Sequence, residues 1–356
     1  MEYRLVVVPS YPLDARADSS VAPPSSLWPR RQATGTFPAP KHPAPDLSIA
    51  RSALLRVSKS RWLADKVMRR KFALRAVRRF MPGEELEDAL REARGLAAEG
   101  MGTVLTKLGE NLASPGDADE VRDHYLAAYD RVRQLGLPSV ISVKPTQLGV
   151  DFSLEVCAGH LETLATRAEA AGSYLWIDME DSSYVDRTLD LYRRLKERHQ
   201  RVGLALQAYL RRTPADLEAL LPLRPTVRLV KGAYAEPPEV AFPKKRDVDQ
   251  AYERLADRLL TVAAEGGTLP IFGTHDLAII RFVTARAGQL GVPEGGYEIH
   301  MLYGIRMAEQ RALAQDGHRV ATLISYGSAW FPWYMRRLAE RPANVWFVVR
   351  SLLPSV

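Results

Sequence analysis

Eight short runs rich in β-branched and apolar residues recur between residues 102 and 327. They are GTVLTKL (102–108), SVISVK (139–144), YLWIDME (174–180), GLALQAY (203–209), TVRLVKG (226–232), PIFGTH (270–275), YEIHML (297–302) and RVATLISYG (319–327). Amphipathic stretches such as RTLDLYRRLKERH and DLEALLPL separate them. Spacers of that kind are too long for hairpins but suit right-handed crossovers between parallel strands. Eight such units in about 240 residues predict an α/β fold, a (β/α)8 barrel of the TIM type, with a doubly wound sheet as the alternative.

A barrel constrains where chemistry can occur, because its sites form at the C-terminal ends of the strands. The run ends supply Glu110, Lys144, Asp178 with Glu180 and Asp181, Gln207, Arg228 with Lys231, Thr274 with His275, and His300. A mouth so full of charge and hydrogen-bonding groups favours a polar ligand over a bare scaffold.

The rest of the chain divides by composition. Residues 1–45 are rich in Pro, Ser and Ala and are expected to be a disordered extension. Residues 46–100 should form two or three helices, at about 47–60, 61–80 and 84–99, the last with acids in its first turn and Gly100 beyond its end. The barrel then takes residues 101–356. Between Arg51 and Arg79 stand eleven Lys and Arg against the single acid Asp65. A basic helix of this kind can lie on an anionic membrane surface, or it can be an ordinary solvated face; nucleic acid is the less expected partner.

With 46% apolar residues, 356 residues can bury a large core, yet no run of 18 or more apolar residues occurs. The opening MEYRLVVVPSYPLDAR also lacks a signal-like segment, so a cytoplasmic protein is expected, peripheral to the inner membrane face if the basic helices bind it. The lone cysteine, Cys157, excludes an internal disulfide, and seven histidines without ligand-like spacing argue against a metal.

Taken singly, the motifs leave alternatives. Lys144, followed by Pro145, could hold a carboxylate or phosphate, or pair with an acid such as Asp178. The acids of Asp178-Met179-Glu180-Asp181 need cations among them, for which Arg228, Arg336 and Arg337 are candidates; Asp181 reads best as a helix cap. In RLVKGAY, Gly232 lets backbone approach a ligand and Lys231 could meet a phosphate, though neither a Walker loop nor GxGxxG is present. In WYMRRLAERPAN, helical spacing puts Trp333, Arg336, Arg337 and Glu340 on one face. No Ser/His/Asp order and no convincing cysteine nucleophile occur, so hydrolysis is poorly supported. Cations with neutral hydrogen bonders suit a bound cofactor oriented against a carboxylate substrate.

In order, IDMEDS, LQAYLRR, RLVKGAYAEPPEVAFPKKR, FGTHD, MLYGIR and WYMRRLAERPAN, with LGEN at 108–111, resemble the monofunctional bacterial proline dehydrogenases over residues 47–350. That resemblance implies a distorted barrel binding FAD that oxidises L-proline to Δ1-pyrroline-5-carboxylate, the first step of proline degradation. It further implies hydride transfer to flavin N5 and passage of electrons to a membrane quinone. On the matching positions, Lys144, Arg336 and Arg337 would hold the substrate carboxylate, and Asp178 and Arg228 would be the active-site pair. Met179, Gln207, Arg228, Lys231, Gly232, Ala233, Thr274 and His275 would contact FAD. Glu110 would pair with the first arginine as a gate, and Glu340 would end the site face of the last helix.

The chain departs from the family pattern at Leu323, where a tyrosine is usual four residues before the glycine of the last strand. Thr106, His300, Ser325 and Trp333 are further departures. Leucine packs but cannot hydrogen-bond, which makes hydroxyproline or another cyclic amino acid an alternative substrate. A non-catalytic ligand-binding or regulatory barrel is the alternative from another class.

Overall fold

The computed structural model describes residues 77–109, 112–293, 295–331 and 334. The expected extension 1–45 and the expected helices 47–60 and 61–80, apart from 77–80, lie outside the described residues. The third expected helix is α1, Leu86–Ala98. Its Glu87 and Asp88 occupy the first turn, and the chain leaves it through Gly100 at φ 78°. Ala89, Leu90, Ala93 and Leu96 recur at helical spacing, and that stripe packs against Met101, Leu105 and Ile324. Each buried leucine contributes roughly 1.5–3 kcal/mol of burial.

All eight expected strands form. They are β1 (Gly102–Lys107), β2 (Ser139–Val143), β3 (Leu175–Ile177), β4 (Val202–Gln207), β5 (Thr226–Val230), β6 (Leu269–Gly273), β7 (Glu298–Leu302) and β8 (Val320–Tyr326). Each pairs in parallel with its neighbours, and β8 closes on β1 through Gly102 opposite Ala321 and Lys107 opposite Tyr326. The doubly wound alternative is thereby excluded, since an open sheet would leave two edges. The crossovers are α2 (Pro115–Gln134), α3 (Leu154–Ala170), α4 (Val185–Lys196), α5 (Thr213–Leu220), α6 (Lys245–Ala264), α7 (Leu277–Leu290) and α8 (Met307–Gln315). No helix among the described residues is long and apolar enough to cross a membrane.

Two cores result. Between the barrel and its helices, Ile141, Ile177, Leu204, Leu229 and Phe272 meet Leu161, Leu189, Leu217 and Leu259. Inside the barrel, Val104, Val140, Trp176, Ile271 and Ala321 pack together, with Leu323 against them. Because side chains alternate along a strand, the interior face that carries Val140, Thr226 and Ala321 also carries Ser142, Arg228 and Leu323 two residues later.

One expectation is corrected. His300 is not at the mouth: it stands in mid-strand on β7, 4% exposed, and lines a small interior cavity with Tyr174, Thr226 and Glu298. The two-residue period places it in the layer beneath the mouth, although reading YEIHML as a run ending near His300 put it at the rim. Glu298 accepts from its Nε2 at 3.2 Å, and Trp176 meets its ring edge-on at 5.9 Å.

Candidate active site

At the C-terminal mouth the most buried charge among the described residues is Arg228, 2% exposed on β5. Its Nη2 donates to Ser142 Oγ at 2.8 Å and to Asp178 Oδ1, while Ser142 Oγ donates to the same carboxylate oxygen at 3.0 Å. The ends of β2, β3 and β5 thus meet inside the barrel in one closed set of bonds. The guanidinium lies over the Trp176 ring, 4.8 Å from its centroid. Burial pushes the Arg228 pKa down, and the Asp178 charge opposes that shift. Asp178 and Arg228, expected from the resemblance to be a pair, form an ion pair here.

Two buried polar atoms beside this set have no hydrogen-bond partner among the described residues: Arg228 Nη1 and Gln207 Oε1. Gln207 is held by its other end, with Nε2 donating to Met179 O at 3.3 Å. A buried polar atom left without a partner costs about 1–3 kcal/mol, so each of these two is a position where a ligand or water would be held. One donor on a cation and one acceptor on an amide match the mixed acceptors and donors of a flavin ring, so these residues fit FAD.

The β5 exit has equally specific geometry. Gly232 adopts φ 111°, and an added Cβ would lie 2.2 Å from Tyr209 Cδ1, so only glycine fits. Tyr209 N donates to Lys231 O at 2.9 Å and Phe242 N to Tyr209 O at 2.8 Å, which folds the loop after β5 back over the end of β4. Ala233 is exposed on that loop. Lys231 Nζ lies 2.5 Å from Asp249 and 2.9 Å from Asp276. Burial raises the Asp276 pKa, but Lys231 and Lys245 outweigh it and hold the carboxyl at about 2. Thr274 Oγ1 accepts from Asp276 N at 3.1 Å, and His275 Nε2 accepts from Leu302 N at 2.8 Å, which leaves the ring proton on Nδ1.

Further loop-to-loop bonds shape the rim. Glu180 accepts from Thr146 N and Oγ1 at 3.0 and 2.6 Å, joining the β3 and β2 exits. Asp181 caps the short helix Ser182–Tyr184 by accepting from Ser183 N, as its position after a strand suggests. Glu236 accepts from Ser182 N and Oγ at 2.7 and 2.6 Å, tying the β5 loop to the β3 loop. Lys144 starts the 3-10 turn at the end of β2 and is half-buried. Leu323 is the one residue of β8 that is not fully buried, on the interior face below the mouth. Glu110, Trp333, Arg336, Arg337 and Glu340 lie outside the described residues.

Comparison with known proteins agrees with this geometry. The family described as proline dehydrogenase matches residues 89–350. The chain belongs to the proline dehydrogenase family. Proline dehydrogenase 1 of Bacillus subtilis strain 168 is 37% identical over 276 residues, covering 78% of this chain and 90% of that protein. Proline dehydrogenase of Deinococcus radiodurans is 36% identical over 284 residues, covering 77% and 89%. Among solved structures, proline utilization A (PutA) of Bdellovibrio bacteriovorus aligns with a TM-score of 0.71 at 23% identity, covering 76% of this chain. The chain spans about a third of that PutA polypeptide (33%), and the likeness shows the barrel fold.

Within this proline dehydrogenase barrel, sequence reasoning missed Ser142, Trp176 and the carboxylates Asp249, Asp276 and Glu236. Ser142 was within reach, since it precedes Lys144 by two in a strand and must share its face. The carboxylates carry no such signal, because their partners come from other loops.

Proposed function

We propose that this chain binds FAD and oxidises L-proline to Δ1-pyrroline-5-carboxylate, releasing the electrons to a membrane quinone. The observation that carries the reading is Arg228 at the mouth, fixed by Asp178 and Ser142 on one side and presenting on the other a buried Nη1 that has no partner among the described residues. Family membership supports the substrate.

FAD would supply the acceptor for the hydride leaving the ring carbon next to nitrogen, as that carbon becomes doubly bonded to nitrogen and the nitrogen gives up a proton. Arg228, oriented by Asp178, would supply a fixed positive charge to stabilise a reduced anionic ring system. Gln207, Met179, Lys231, Gly232, Ala233, Thr274 and His275 are the further residues assigned to holding the cofactor. Lys144, Arg336 and Arg337 are assigned to the substrate carboxylate, for which planar guanidinium forks are well shaped, and Glu110 and Glu340 to the acids that accompany them. Fixing one end of a small substrate by its carboxylate sets which ring carbon can react.

Leu323 supports a second reading, that the preferred substrate is hydroxyproline or another cyclic amino acid, because an apolar side chain stands at the rim of the interior. The basic segment before residue 80 supports peripheral binding to an anionic membrane, which vesicle sedimentation with and without residues 46–80 would test. The central experiment is spectroscopic. Purified protein should be yellow, and anaerobic L-proline should bleach its flavin bands; a preparation that takes up no FAD would overturn the proposal.

A further inference from the structure

Gln147 is 1% exposed and uses every hydrogen-bonding position of its amide. Nε2 donates to Lys107 O at 2.7 Å and to Gly109 O at 2.5 Å, two carbonyls at and beyond the end of β1. Oε1 accepts from Lys144 N at 3.3 Å and from Tyr125 Oη at 3.4 Å. Turning the amide over would set donors against an N–H and oxygen against two carbonyls, so its orientation is fixed. The main chain adds a further bond, Gln147 N to Lys144 O at 3.0 Å, which closes the turn that begins with Pro145.

The β1 end is held from its other sides as well. Tyr125 Oη accepts from Lys107 N at 2.9 Å, and Leu108 N donates to Tyr326 O at 2.7 Å. Gln147 is thus the side chain that joins this anchored end of β1 to the main-chain amide of Lys144. Strand pairing between β1 and β2 stops at Leu105 opposite Ile141, so beyond that point the sheet itself does not set their separation.

We propose that Gln147 is a positioning residue for substrate binding: it fixes the backbone of Lys144 relative to the β1 exit and so sets where the Lys144 ammonium meets the substrate carboxylate. This rests on the proposed proline reading only for the identity of the ligand. A carboxylate is gripped in both ground and transition state, so a misplaced Lys144 weakens binding more than turnover.

Two variants test it in the FAD-loaded enzyme. Gln147→Glu keeps shape and both acceptors but points oxygen at the two β1 carbonyls, and Gln147→Met keeps volume and removes all four bonds. In each, KM for L-proline should rise about 10-fold while kcat stays within about 2-fold. The dissociation constant of cyclopentanecarboxylate, which has the carboxylate and ring but no reactive amine, should rise by a similar factor when read from the flavin absorption change. Unchanged constants in both variants would overturn the proposal. So would a parallel fall in kcat and FAD content with no specific change in carboxylate affinity, the result of a merely structural role. If wild-type flavin is not bleached by L-proline, the substrate reading fails, while the cyclopentanecarboxylate titration still decides the role of Gln147.

Discussion

Gly232 and Tyr209 are packed so closely that the glycine has no room for a methyl group: an ideal Cβ would sit 2.2–2.6 Å from three atoms of the Tyr209 ring. The backbone at Gly232 is also at φ 111°, a region that L side chains rarely enter. Gly232→Ala should therefore lose about 1–3 kcal/mol of stability and displace the loop that follows β5. Thermal unfolding reads the first effect and the flavin-to-protein ratio the second. Adding Tyr209→Ala removes the clash but not the backbone strain, so recovery should be partial.

The ion pair inside the barrel predicts an asymmetric response. Arg228 has 3% side-chain exposure and Asp178 has 21%, so removing the acid strands a cation that water cannot reach. Asp178→Ala should cost roughly 3–5 kcal/mol, measured by urea unfolding. The double variant Asp178→Ala with Arg228→Met should cost less than the single variants Asp178→Ala and Arg228→Met combined, because no unpaired charge is left. Both single variants should also lose proline-dependent bleaching. Full additivity in the cycle would show that the pair is not coupled.

Two histidines make opposite contributions as pH changes. Burial lowers the pKa of His199, but hydrogen bonds and charge from Glu169 and Glu162 outweigh it, and the net shift is upward. Its stabilisation is complete below the unfolded value of about 6.5 and is lost as pH rises through the folded value. Burial and the Lys107 charge push His124 down to about 4, with its Nε2 2.9 Å from Tyr326 Oη. Its contribution is present above about 6.5 and is lost as pH falls toward 4. Denaturant midpoints should show the advantage of wild type over His199→Gln shrinking above pH 6.5. The advantage over His124→Gln should instead shrink below it.

What was legible in the sequence follows from what is local. The strands could be read because each run has its own composition, and the eightfold alternation left few folds. Boundaries blurred where interior polar residues interrupt the pattern: YLWIDME reads as seven residues, but β3 spans only Leu175–Ile177, and Asp178 just beyond it meets Arg228. Asp178 and Arg228 were expected as a pair through the family resemblance, but Ser142, which bonds to both, was not, because their meeting spans strands far apart in sequence. The surroundings of Lys231 were hidden for the same reason. A cation beside a glycine suggests a phosphate hook, whereas Asp249 and Asp276, distant in sequence, already engage it. Gln147 gave no signal at all, because a lone glutamine after a Pro-Thr pair has no distinctive pattern until two strand ends flank it.

Specificity supplies the last test, at Leu323. The residue pairs with Val104 of β1 and Leu302 of β7, and its side chain packs with Val104, Val140, Trp176 and Ile271. Val104 and Ile271 beside it are fully buried while Leu323 is only partly so, and a larger side chain at this position is expected to extend toward the mouth. Leu323→Tyr should add a ring and a hydroxyl to the pocket wall without disturbing the layer beneath, and its melting temperature should stay close to that of wild type. The extra bulk should favour the unsubstituted ring over a hydroxylated or six-membered one. Relative bleaching rates with L-proline, 4-hydroxyproline and pipecolate should therefore shift toward proline, by about 10-fold if one well-placed contact of about 1.4 kcal/mol is gained. Identical ratios in wild type and variant would mean that Leu323 does not face the substrate.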